Sequence, residues 1–180
     1  MYRIFVTTLL GLALVSGCSR SVVSTDPNFV QRTFTTFEIG VPGDWSKVEK
    51  EDWANTVPNE TVAVFVFREE SGFIRNLNVY KEQLNSTASS IEYAKANVLL
   101  GSKALFDYGR VSAEEEEIGG ERTVFHVFEA RNSALDKVHL FTQAYFMKDG
   151  AGYTVTCIAQ DKASDAVAQC AAVVRSFRLR

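Results

Sequence analysis

The chain is 180 residues long, 46% hydrophobic and 12% aromatic, with 19 basic against 22 acidic residues and a net charge of -3. A chain of this size and apolar content can bury a substantial core, which argues against a disordered or disulfide-dense class. A mildly acidic balance without a basic stripe lacks the counterion-release term behind most nucleic-acid affinity, so nucleic acid is not an expected partner.

In chain order, Met1-Tyr2-Arg3 is a short positive segment, and residues 4–15 are uncharged and apolar, ending in Ser16-Gly17. The run is shorter than the roughly 20 apolar residues that a spanning helix needs, and it reads as a processed signal. Leu14-Val15-Ser16-Gly17-Cys18 has Val15 in the apolar slot three positions before the cysteine and small residues between. This stretch resembles the bacterial lipobox. The resemblance implies a diacylglyceryl thioether on Cys18, cleavage after Gly17 and a membrane-held mature chain. A secreted protein with a chance cysteine, or an uncleaved anchor, is the plainer alternative. Loss of residues 1–17 removes one basic residue and moves the net charge to -4.

Residues 18–32 are rich in Ser, Thr, Asp and Asn with Pro27, and they read as a tether between lipid and domain. Ser19, where an aspartate would hold a lipoprotein at the inner membrane, implies an outer membrane, facing the periplasm, in a cell with two membranes.

Residues 33–180 are expected to form one domain. Residues 33–41 read as a first strand, and Pro42-Gly43-Asp44 as a turn before Trp45. Residues 61–67 read as a strand apolar on both faces, which would then both need cover. Residues 76–80 are a further strand. Ser89 with Glu92 makes a capping box for a helix that starts near Ser90 and ends near Gly101. Residues 108–118 and 122–130 make a hairpin about Gly119-Gly120, and residues 138–147 and 153–159 continue it as antiparallel strands. Ser164 is placed to cap a last helix with Val167, Cys170, Val174 and Phe177 on one face.

This order implies an α+β domain, an antiparallel sheet covered by helices. The proline turn with Trp45, the mid-chain helix, the Gly119-Gly120 hairpin and the closing helix with Ser176-Phe177 resemble the PsbP-like and DcrB-like layout over residues 33–180. That resemblance implies an α-β-α sandwich and an accessory or binding role, since known members include a photosystem subunit and a nuclear-import factor. No enzyme is expected.

Cys157 lies on the last long strand and Cys170 on the apolar face of the last helix. In an oxidising compartment the two favour a disulfide, and two buried reduced thiols are the alternative. His126 and His139 have no ligand-spaced partner, so no metal is expected and each reads as a half-exposed strand residue. Glu114 to Glu117 alternate across a strand and cannot converge on one cation; they read as a solvated edge. Trp45 and Trp53 are possible ligand or partner surface, and with Phe65, Phe67 and Phe73 they read as core or as an apolar pocket. No Gly-x-Ser-x-Gly elbow, phosphate loop or cofactor motif is present. The function so implied is a lipid-anchored envelope module acting by protein contact, without cofactor. The alternatives are a carrier of a small apolar ligand and an enzyme of unrecognised type.

Overall fold

A computed structural model describes residues 28–54, 57–160, 162 and 164–180. The expected signal, Cys18 and most of the expected tether lie outside these residues. Among the described residues ten strands and two long helices follow in order: β1 (Phe29–Thr33), β2 (Phe37–Pro42), β3 (Ser46–Lys47), β4 (Thr61–Arg68), β5 (Ile74–Gln83), α1 (Ser90–Ala104), β6 (Phe106–Ile118), β7 (Glu121–Arg131), β8 (His139–Lys148), β9 (Ala151–Ala159), α2 (Ser164–Arg175) and β10 (Arg178–Leu179). A single 3₁₀ turn, Lys50–Asp52, lies between β3 and β4.

A seven-stranded sheet has the order β3-β4-β5-β9-β8-β7-β6, and a smaller one the order β1-β2-β10. All pairings are antiparallel. α2 and the small sheet lie on one face of the large sheet, and α1 packs over β7 and β8 on the other. The architecture is the expected antiparallel α+β sandwich.

The main core lies between the large sheet and α2. Phe37, Ile39 and Val41 of β2, Phe65 of β4, Val155 of β9, and Val173, Val174 and Phe177 of the closing segment are all at most 2% exposed. Burying such side chains stabilises by about 1.5–3 kcal/mol each before entropy is counted. Hairpin chemistry sets the meander. Gly119 and Gly120 have φ of 62° and 89°, a conformation that lets the β6–β7 turn follow the strand twist. A Cβ at Gly119 would also lie 2.6 Å from the Phe177 carbonyl oxygen, so this turn is seated against the closing segment.

Four expectations need correction. The strand expected over residues 33–41 is two strands, because the Phe34 N–H donates to the Phe37 carbonyl and closes a tight turn without glycine or proline. Residues 29–32, read as tether, belong to β1 and pair with β2. α1 runs past Gly101 to Ala104: glycine costs a helix about 1 kcal/mol relative to alanine but does not terminate it, and extended Leu105 ends the helix by donating its N–H to the Gly101 carbonyl. β4 is covered on one face only, since Ala63 and Phe65 are buried whereas Val62 is 38% exposed and Val64 and Val66 are half-buried. The capping box of Ser89 and Glu92 is present as expected, and α2 starts at Ser164.

Candidate functional site

The uncovered face of β4 lies on the α1 side of the large sheet. Cross-strand register places Val64, Asn78, Thr156, Gln143, His126 and Ala113 in one row across six strands. The adjacent row holds Val66, Asn76, Ile158, Phe141, Phe128 and Arg110. α1 packs on β7 and β8 beside these rows, over Val124, Tyr145 and Met147. Among the described residues no helix covers the β4–β5–β9 part, which forms the floor of an open groove of about 860 Å³.

Groove chemistry follows from strand alternation. Asn76, Asn78 and Tyr80 are alternate residues of β5 and so share a face, and Thr156, Val64, Val66, Ile74 and Ile158 flank them. Val57 and Pro58 lie at one border, and Asn132, Ser133 and Asp136 of the β7–β8 connection at another. With Phe141 of β8 the lining is therefore apolar with neutral hydrogen-bonding groups, and Asp136 is its one formal charge among the described residues. Burial, followed by the charges of Glu82 and Glu60, raises the Tyr80 pKa above its ordinary value, which keeps its hydroxyl a donor.

Beneath α1 a chain of hydrogen bonds crosses the sheet. The Tyr145 hydroxyl donates to Gln143 Oε1 (2.5 Å) and so accepts from His126 Nδ1–H (3.1 Å). A neutral ring with its hydrogen on Nδ1 has a bare Nε2, which accepts from the Tyr108 hydroxyl (3.0 Å). Gln143 Nε2 in turn donates to Thr156 Oγ1 (2.9 Å). Burial, with a contribution from the Arg110 charge, lowers the His126 pKa from 6.5 to about 4, in agreement with the neutral tautomer the bonds require. Burial likewise raises the Tyr145 pKa, so neither group serves as a base at neutral pH. Tyr93 of α1 anchors the helix over this chain, donating to Glu82 (2.8 Å) and lying within 3.2 Å of Thr154 Oγ1.

On the far flank of α1 a second hollow of about 600 Å³ opens between the helix and β6. Val98, Leu99, Ala113 and Val124 line it, with Lys95, Glu115, Ser102, Tyr108 and Arg110 around them. Glu115 pairs with Lys95 (3.3 Å) and Arg122 (3.1 Å).

The residues singled out from sequence fall in different places. Cys157 on β9 and Cys170 on α2 are joined by a disulfide with a Cα–Cα distance of 5.4 Å, and both are buried. Trp45 is 2% exposed and stacks on Phe67, so it is core and not a surface. Trp53 is half-buried and donates its indole N–H to the Val48 carbonyl (3.0 Å), away from the groove lining. Phe65 is core, and Phe73 packs against the ring of half-buried His139. His126 is 1% exposed, which corrects the half-exposed expectation: the rings of Tyr108, Phe128 and Tyr145 close around it, and such cover cannot be read from strand alternation. Glu114 to Glu117 do lie on an edge strand. Glu116 faces the α2 side and meets Arg175 (3.0 Å), whereas Glu115 faces the α1 side. Among the described residues no three His, Cys, Asp or Glu groups converge as a metal site. The polar row of Asn78, Thr156 and Gln143 was missed, because its members are unremarkable until register aligns them.

Neither a family model nor a curated protein matches the chain by sequence. Solved structures match it by fold. The PsbP protein CyanoP from Synechocystis sp. PCC 6803 matches with TM-score 0.59 and 16% identity, over 85% of this chain and 93% of that one. LpqN of Mycobacterium tuberculosis, described as involved in cell envelope biogenesis, matches with TM-score 0.58 and 14% identity, over 84% of this chain and 88% of that one. The Ran-binding protein Mog1p of Saccharomyces cerevisiae matches with TM-score 0.56 and 13% identity, over 84% and 95%. At these identities the likeness establishes the fold: the chain has the antiparallel α+β fold of the PsbP-like and Mog1-like proteins.

Proposed function

We propose that this chain is an exported envelope protein, held to a membrane by lipid on Cys18, whose domain works as an accessory binding module through protein contact. The observation that carries the reading is the groove on the uncovered half of the sheet. Its aliphatic side chains and neutral amides and hydroxyls match a protein-contact surface, which is mixed in polarity and poor in charge at its centre. A buried disulfide is at home in an oxidising compartment, in keeping with export. Two fold neighbours are described by a binding partner or by the envelope, and this supports an accessory role over a catalytic one. The lipid, the outer-membrane placement by Ser19 and the reach of the tether form part of the proposal and rest on the sequence.

The test uses the lipidated protein in its native envelope, crosslinked in place and recovered with its neighbours. Asn78→Arg puts a charge at the groove centre, and Lys137→Glu serves as a surface control. The expected result is a partner band lost in Asn78→Arg, retained in Lys137→Glu, with fold and abundance equal. A partner retained by both variants would overturn the groove as the contact surface. Loss of function from a single substitution at His139 or at an exposed acid, with fold intact, would put an enzymatic reading first.

A further inference from the structure

The hollow between α1 and β6 has different chemistry from the groove, and the two share no lining residue. We propose that it is a binding site for a free long-chain fatty acid, with the acyl chain along Val98, Leu99, Ala113 and Val124 and the carboxylate at Arg110.

Three observations converge on this occupant. The hollow measures about 600 Å³, inside the range of roughly 300–1,000 Å³ typical of small-ligand sites. Its apolar walls come from three elements: Val98 and Leu99 from the outer flank of α1, Ala113 from β6 and Val124 from β7. Leu99 is 55% exposed, apolar surface that α1 does not bury against its own sheet. Charge then selects the head group. Of the two cations in the lining, Lys95 is held by Glu115, whereas Arg110 has no anionic partner among the described residues. Tyr108 and Ser102 add hydroxyls in the same lining. The Tyr108 hydroxyl already donates to His126, so it offers lone pairs only, and Ser102 donates to the Leu99 carbonyl. Arg110 is therefore the donor left to meet a carboxylate.

The same inventory disfavours other occupants. A peptide brings amide groups that need partners. The α1 backbone in this lining is consumed by the helix, and the unpaired backbone groups of the edge strand β6 lie in the plane of the sheet and not over the hollow on its face. A polyphosphate needs several cations, and one is unpaired. A neutral hydrocarbon would fill the walls and leave Arg110 unused.

The test titrates palmitate and hexadecanol, below their aggregation thresholds, against the full-length lipid-free Cys18→Ala chain, by displacement of a dansylated undecanoate. Palmitate is expected to bind at one saturable site, more tightly than hexadecanol. Arg110→Ala should weaken palmitate by about fivefold, the upper range of an exposed ion pair, and leave hexadecanol unchanged. Leu99→Asp sets a carboxylate in an exposed position of the apolar wall, and should weaken both ligands by about tenfold or more with the thermal midpoint preserved. Asn78→Arg in the groove should leave both affinities unchanged, which separates this site from the protein-contact surface. No displacement by palmitate, displacement insensitive to Arg110→Ala and Leu99→Asp, or loss in Asn78→Arg alone would each overturn the proposal.

Discussion

At the residue scale, the most constrained group is His126. Its two hydrogen bonds fix a neutral ring, and its pKa of about 4 lies below the 6.5 of an unfolded histidine. Between pH 6.5 and pH 4 the unfolded chain takes up a proton that the folded chain refuses. Stability from this group is therefore complete above pH 6.5 and lost as the pH falls through that window, by about 2 kcal/mol near pH 4.5. Urea unfolding of wild type and His126→Gln at about pH 4.5 and 7.5 checks it: the variant is less stable at the higher pH and lacks this share of the acid-side loss. Equal pH dependence in both proteins would refute the assignment. Gly152 is constrained by sterics. A Cβ there would lie 2.6 Å from the Tyr93 ring, so Gly152→Ala must displace Tyr93 from Glu82 and Thr154. The expected loss is about 1–3 kcal/mol. In a Tyr93→Leu background the same substitution should cost much less, and an undiminished cost would place the strain elsewhere.

At the element scale, α2 is held to β9 both by packing and by the Cys157–Cys170 bond. Cys170→Ala should lower stability by about 2–5 kcal/mol, measured by denaturant midpoint under oxidising conditions. Alkylation of the exported protein without reductant should label neither thiol; full labelling would show the pair reduced. α1 is held differently. It covers two strands of seven, anchored by Ser90, Tyr93 and Ala94, and its exposed Leu99 and Leu100 lie off that stripe. A helix that covers so little of a sheet leaves a hollow on its β6 flank and an open sheet beyond it, and those are the two cavities argued above. The long edge strand β6 carries Glu114 and Glu117 at its exposed margin, charges that discourage edge-to-edge pairing with another chain.

At the scale of the whole molecule, the proposed order is lipid, tether, domain. Cys18→Ala should abolish incorporation of a clickable fatty acid and release the protein from membranes; label retained by the variant would refute lipidation. Deleting residues 19–27, short of β1, should keep the fold and the anchor but impair function by shortening the reach of the domain; unimpaired function would show that this reach does not matter. The sequence by itself determined the α+β class, the capping box at Ser89, the Gly119-Gly120 turn and the strand order of the meander. Each of these is local, written in propensity, periodicity or turn chemistry within about a dozen residues. What covers a strand is not local. Residues 61–67 look buried on both faces because valine and phenylalanine alternate there, yet α1 lands on β7 and β8 and leaves Val62, Val64 and Val66 open. His126 is buried and Trp45 is core for the same reason, since burial depends on where a distant element packs. The groove, the hydrogen-bonded row from Tyr108 to Thr156 and the Arg110 hollow were decided by register across strands far apart in sequence, which tertiary structure alone sets.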